Sequence, residues 1–216
     1  MMWSMRVRLA GVTGVALLLT GCGGLLQSDN PQPETYRLGA VPAAVTGTAP
    51  AAVPSVSPLG LTVARPRAAA ALDSERIAIV AEGHRFDYYA GVRWAEPAPQ
   101  MLQQNLVAAL ARSGRFAGVF SAPARVPAEL TLDVELRRFE ADATAGGAPV
   151  VHVALQASLV DARRAQRIAS FTSEAAVAAE GDRRAAIIAA FDRASAQVVD
   201  DVVARVAIAA ATVPAQ

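Results

Sequence analysis

The residue types that could do chemistry are few in this chain and badly spaced for it. Its two histidines, His84 and His152, lie far apart and form neither an HExxH nor a His-x-His arrangement. One cysteine, Cys22, excludes an intramolecular disulfide and any cysteine-cluster metal site. Gly-x-Ser-x-Gly is absent, and a Gly-x-x-x-x-Gly-Lys phosphate loop cannot exist where all 20 basic residues are arginine. Asp200 and Asp201 are adjacent on the last helical pattern and point to different positions around it, so they read as solvated charges. His84 reads as a loop or strand-end residue, and His152 falls on the wetter side of its strand. Neither has an evident partner to make it a general acid or base. The expectation is no catalytic residue, no metal and no cofactor: not an enzyme.

Cys22 points to a different chemistry, covalent modification. Arg6 and Arg8 precede the apolar run Leu9–Leu19, and Thr20-Gly21-Cys22 follows. A positive start, a short apolar stretch and small residues form a secretory signal peptide. The stretch is too short to span a bilayer, which needs about 20 apolar residues. Leu19-Thr20-Gly21-Cys22 resembles a bacterial lipobox, in which the cysteine is lipidated and becomes the new N-terminus. Residues 1–21 are thus expected to be a lipoprotein signal peptide, with a covalent lipid such as palmitate on Cys22. Gly23 follows the cysteine, where lipoproteins kept in the inner membrane often carry Asp. That points to the outer membrane, with the body in the periplasm. Removing residues 1–21 leaves 18 arginines against 19 acidic residues, a formal charge of −1. Such a chain has no basic excess for nucleic acid or anionic lipid, so membrane attachment rests on acyl chains.

Recognition chemistry concentrates in one place. Tyr88, Tyr89, Arg93 and Trp94 fall within seven residues of a chain that is only 5% aromatic. Aromatics with arginine are the residues enriched at interface hot spots. The segment is expected to join a strand to a helix on the surface and to bind a partner, with Trp94 also suited to capping the core.

The elements that must position these residues follow from periodicity. Residues 22–34 read as a lipidated tether, and 35–216 as a single domain. Thr35–Leu38 is a short strand, and residues 40–58, with four prolines, a flexible loop. Leu59–Val63, Glu75–Val80, Arg85–Tyr89 and Arg115–Phe120 read as strands, and the alanine-rich stretch Pro66–Asp73 as a helical turn. Pro99 opens a helix that runs on through Leu102, Leu106 and Leu110 and stops at Ser113-Gly114. Leu130, Leu132, Val134 and Leu136 alternate with polar residues, then Val151 to Leu159 and Ile168 to Val177 repeat the pattern as an antiparallel meander. Asp182 reads as the N-cap of a long helix to about Ala210, with Ile187, Phe191, Ala194, Val198, Val202 and Val206 as its apolar stripe. The expected class is α+β, a largely antiparallel sheet with two main helices on one face.

Taken in order, several segments resemble one family. They are the lipobox, Tyr36-Arg37-Leu38, Leu72–Ile79, Tyr88–Trp94, Pro99–Leu110, Phe139 and Leu159-Val160-Asp161. Together they are similar to the ABC-type transport auxiliary lipoproteins, which include the lipoprotein of the paraquat-inducible (Pqi) system. The resemblance implies partners: an MCE-domain protein and, through it, an ABC permease and ATPase. It also implies a non-catalytic part in moving phospholipid or other lipid between inner and outer membranes. A domain of this kind must engage an MCE ring or further copies of itself as a homo-oligomer. The alternative is a periplasmic assembly or envelope-integrity lipoprotein acting as a protein-binding module; adjacent transporter genes would separate the two. A lipid-anchored hydrolase would need a pocket of convergent titratable groups, which the sequence does not promise.

Overall fold

The computed structural model describes residues 32–39, 57–123 and 126–213. The expected signal peptide, Cys22, nearly all of the tether and most of the proline-rich loop lie outside the described residues. The strands are β1 (Glu34–Tyr36), β2 (Ser57–Val63), β3 (Arg67–Ala68), β4 (Arg76–Ala81), β5 (Arg85–Trp94), β6 (Phe116–Ser121), β7 (Leu130–Asp142), β8 (Val150–Asp161) and β9 (Gln166–Ala178). The helices are α1 (Ala98–Arg112), between β5 and β6, and α2 (Arg184–Ala210), after β9. The α+β class holds, with a sheet that is mixed.

β7 organises everything. One of its edges pairs antiparallel with β8 along the whole strand, and β8 pairs antiparallel with β9. Its other edge is shared in succession by β2 at Leu130–Leu132, β3 at Glu135–Leu136 and β4 at Glu140–Asp142, all parallel. β2 carries β6 parallel beside it, and β4 carries β5 antiparallel, with β1 parallel to the end of β5. The meander was legible from alternation; the parallel arms join strands distant in sequence and leave no local period.

Four expectations are corrected. Pro66–Asp73 is not a helical turn throughout: Arg67 and Ala68 form β3, because β7 has backbone groups to satisfy between β2 and β4. Asp182 does not cap α2; Arg183 holds the N-cap position without a side-chain bond, after Gly181 at φ 123°. The Tyr88–Trp94 segment is not a strand-to-helix connection but the body of β5. β2 also starts at Ser57, inside the expected loop.

The core lies between the sheet and the two helices. The predicted α2 stripe, Ile187, Phe191, Ala194, Val198, Val202 and Val206, is buried throughout. β7 buries Leu130, Leu132, Val134 and Leu136, then a bulge between Leu136 and Arg138 resets the parity so that Phe139 and Ala141 also face inward. Trp94, Phe139 and Phe191 tie β5, β7 and α2 together, with ring centroids 4.8–5.6 Å apart. α1 contributes Leu102, Leu106 and Leu110 and ends where Ser113 donates to the Leu110 carbonyl at 2.6 Å, followed by Gly114 at φ 62°. No described helix is long and apolar enough to cross a membrane.

Candidate partner-binding surface

β5 is a broken strand, and the break decides which side chains can meet a partner. Arg76 pairs with Arg93 and Ala78 with Tyr88, so Ile77 alone stands opposite Tyr89, Ala90, Gly91 and Val92. Gly91 adopts φ 70°, a left-handed conformation that L side chains rarely take, and thereby lets the strand bulge. The hairpin joining β4 to β5 turns at Glu82–His84, with Gly83 and His84 also at positive φ. His84 is therefore a turn residue. His152 is half-buried opposite Glu140.

The bulge divides the predicted quartet between two faces. Tyr88 and Arg93 lie on the helix-free face of the sheet. The Arg76 guanidinium sits 3.6 Å from the centre of the Tyr88 ring, and Phe86 meets that ring edge-on at 5.4 Å. The Tyr88 hydroxyl donates to the Ala71 carbonyl at 3.1 Å, which fixes the ring. Phe86 is 40% exposed, one of few large apolar side chains that are among the described residues. Arg93 donates to Thr35 Oγ1 and Glu75 Oε2, each at 3.3 Å, and remains exposed.

Tyr89 and Trp94 point the other way. Tyr89 is half-buried beside Tyr36, Ile77, Val92, Ile187 and Ile188, with Arg184 at the rim. Its hydroxyl is buried without a hydrogen-bond partner, and burial raises its pKa. Trp94 is 0% exposed and packs in the core, one of its two expected roles, and so is not part of the exposed patch. Sequence reasoning missed Arg76 and Phe86. Both reach the patch through the β4–β5 hairpin, and only the strand pairing shows it.

An open pocket of about 130 Å³ lies beside this arm, lined by Arg37, Leu38, Ala95, Glu96, Met101, Gln104 and Asn105. Gln104 donates to Glu96 at 2.7 Å and Asn105 to the Gly39 carbonyl at 3.3 Å. The lining holds neither a hydroxyl or thiol nucleophile nor a histidine, and its one carboxylate, Glu96, is engaged by Gln104. No group of three or more His, Cys, Asp or Glu poised for a metal occurs among the described residues.

The family model described as the ABC-type transport auxiliary lipoprotein component matches residues 36–203, from β1 into α2. The chain belongs to that family. The family is described as an auxiliary lipoprotein component of ABC-type transport. The chain is similar to a protein of the DUF330 family from Xanthomonas campestris in its crystal structure: 29% identity over 82% of this chain and 95% of that one, TM-score 0.71. Two further solved structures share the fold. One is of an uncharacterized protein, with 15% identity, 81% and 99% coverage and TM-score 0.62. The other is of a hypothetical protein from Chlamydia trachomatis, with 10% identity, 70% and 97% coverage and TM-score 0.51. No curated protein matches this chain.

Proposed function

We propose that this auxiliary lipoprotein serves an ABC transport system that moves phospholipid or other lipid between the inner and outer membranes, and that it does so by binding rather than catalysis. In this reading Cys22 carries the lipid, residues 22–34 tether the domain to the outer membrane, and the domain docks an MCE-domain protein that connects to the permease and ATPase. The family match over residues 36–203 carries the reading. The Arg76–Phe86–Tyr88–Arg93 patch supports the docking site, because an exposed Phe86 resting edge-on against a half-buried Tyr88 that Arg76 holds in place loses little entropy on binding.

Co-purification from native membranes tests it. The MCE-domain protein is expected to come down with the wild-type chain. Tyr88→Ala, which truncates a hot-spot type of side chain, is expected to weaken capture by about 2 kcal/mol, some thirty-fold, with the fold intact by circular dichroism. Equal capture by wild type and variant would remove the patch from the docking site. Absence of any MCE partner would favour the alternative of an envelope-assembly module.

A further inference from the structure

β9 pairs with β8 on one side and, among the described residues, with nothing on the other. It is 13 residues long, whereas β6 has six and β1 three, and the free part of β5 is broken by its bulge. It contains no proline, and its one irregularity, between the Leu159 and Val160 pairings, sits near its start at Ile168. A strand edge of this length and regularity is a template for another strand unless it is blunted.

The side chains along that edge specify the other strand. The β8 register places Arg167, Ser170, Thr172 and Glu174 on the helix-free face, and Ala169, Phe171 and Ser173 on the helix side. All four residues of the first set are exposed, and neither Arg167 nor Glu174 has an ionic partner among the described residues. A two-fold axis at Phe171 sets Ser170 of one copy opposite Thr172 of the other and Ala169 opposite Ser173. It also brings Glu174 opposite the Arg167–Ile168 bulge, on the face that carries Arg167. Phe171 meets its own symmetry mate, flanked by Arg205, whose guanidinium lies 5.6 Å from the ring centre and is neutralised by Asp201 at 2.8 Å. Opposite charges, aromatic pairs and Ser–Thr pairs are the favourable cross-strand combinations. Moving the axis to Ser170 or Thr172 breaks the Arg–Glu match. We propose that two copies of this chain pair through β9, antiparallel about an axis at Phe171, joining their sheets into one. The contact is isologous, so each Arg167–Glu174 pair occurs twice.

Charge reversal tests this on the full chain purified in detergent, with association read by sedimentation. Arg167→Glu or Glu174→Arg alone puts like charges opposite each other twice, and is expected to weaken association about tenfold. The double variant is expected to restore it to within about threefold. Phe171→Cys is expected to cross-link two copies on mild oxidation, with the wild-type chain as the background for Cys22. Ala176→Cys is expected not to, since its symmetry mates lie roughly 34 Å apart along the strands. A wild-type chain monomeric at about 100 μM, single reversals without effect, or a double variant that fails to recover would each overturn the proposal. Cross-linking at position 176 equal to that at 171 would do the same.

Discussion

Trp94 offers the sharpest test of how the arm carrying the candidate surface is held to the core. Its indole is fully buried against Phe139 and Phe191, and its Nε1 has no acceptor. Trp94→Ala removes the contact between β5, β7 and α2 and leaves a void that a sheet on one side and a helix on the other cannot close. Such truncations cost about 3–5 kcal/mol. Trp94→Phe keeps an aromatic ring there. A residual void of roughly 40 Å³ costs about 1 kcal/mol at about 24 cal/mol per Å³. Deleting the unsatisfied N–H offsets this by about 1–3 kcal/mol, so Trp94→Phe is expected to fall between neutral and about 2 kcal/mol more stable than wild type. Urea unfolding followed by circular dichroism separates the two, at constant m. A loss below about 1 kcal/mol for Trp94→Ala would refute the packing argument. A Phe variant as damaged as the Ala variant would mean the indole N–H has an acceptor after all.

Other outcomes follow from single groups. Gln103 is buried in α1 and donates to the carbonyls of Val63 at 2.9 Å and Ala122 at 3.3 Å, where β2 and β6 end; Gln103→Ala is expected to cost about 1–3 kcal/mol in urea unfolding. Asp192 accepts the Gly39 N–H at 2.7 Å, but burial raises its pKa above the unfolded value, so its ionisation disfavours the fold and the loss grows as pH rises through the folded pKa. Asp192→Asn keeps an acceptor there and is expected to match or exceed wild-type stability at pH 7, with the difference vanishing below about pH 4. Asp161 is the opposite case: the backbone N–H and guanidinium of Arg164 and the N–H of Arg163 lower its pKa. Its stabilisation is present above the unfolded carboxylate pKa and lost as pH falls through the lowered one, so thermal midpoints of Asp161→Asn and wild type are expected to converge in acid.

How much was legible depended on whether a residue's environment is local. The α2 stripe and the alternation of Leu130 to Leu136 each declare one buried face, and the structure buries both. Phe139 escaped because the bulge at Arg138 shifts the parity, and nothing in Arg137-Arg138 announces which residue is the extra one. β3 escaped because Arg67-Ala68 has no strand propensity of its own; it is a strand only because β7 offers it an edge. At the candidate surface, composition found Tyr88 and Arg93 but could not tell that the bulge turns Tyr89 and Trp94 toward α2. Arg76 and Phe86 became visible only once β4 and β5 were paired.

The proposed role of the domain is binding within a lipid-transporting ABC system. Its most direct test is the transfer of labelled phospholipid between the two membranes in cells lacking this chain. Transfer is expected to slow, to be restored by the wild-type chain, and to be restored neither by Cys22→Ser nor by Tyr88→Ala with Arg93→Ala. Transfer at the normal rate without the chain, or full restoration by both variants, would contradict it.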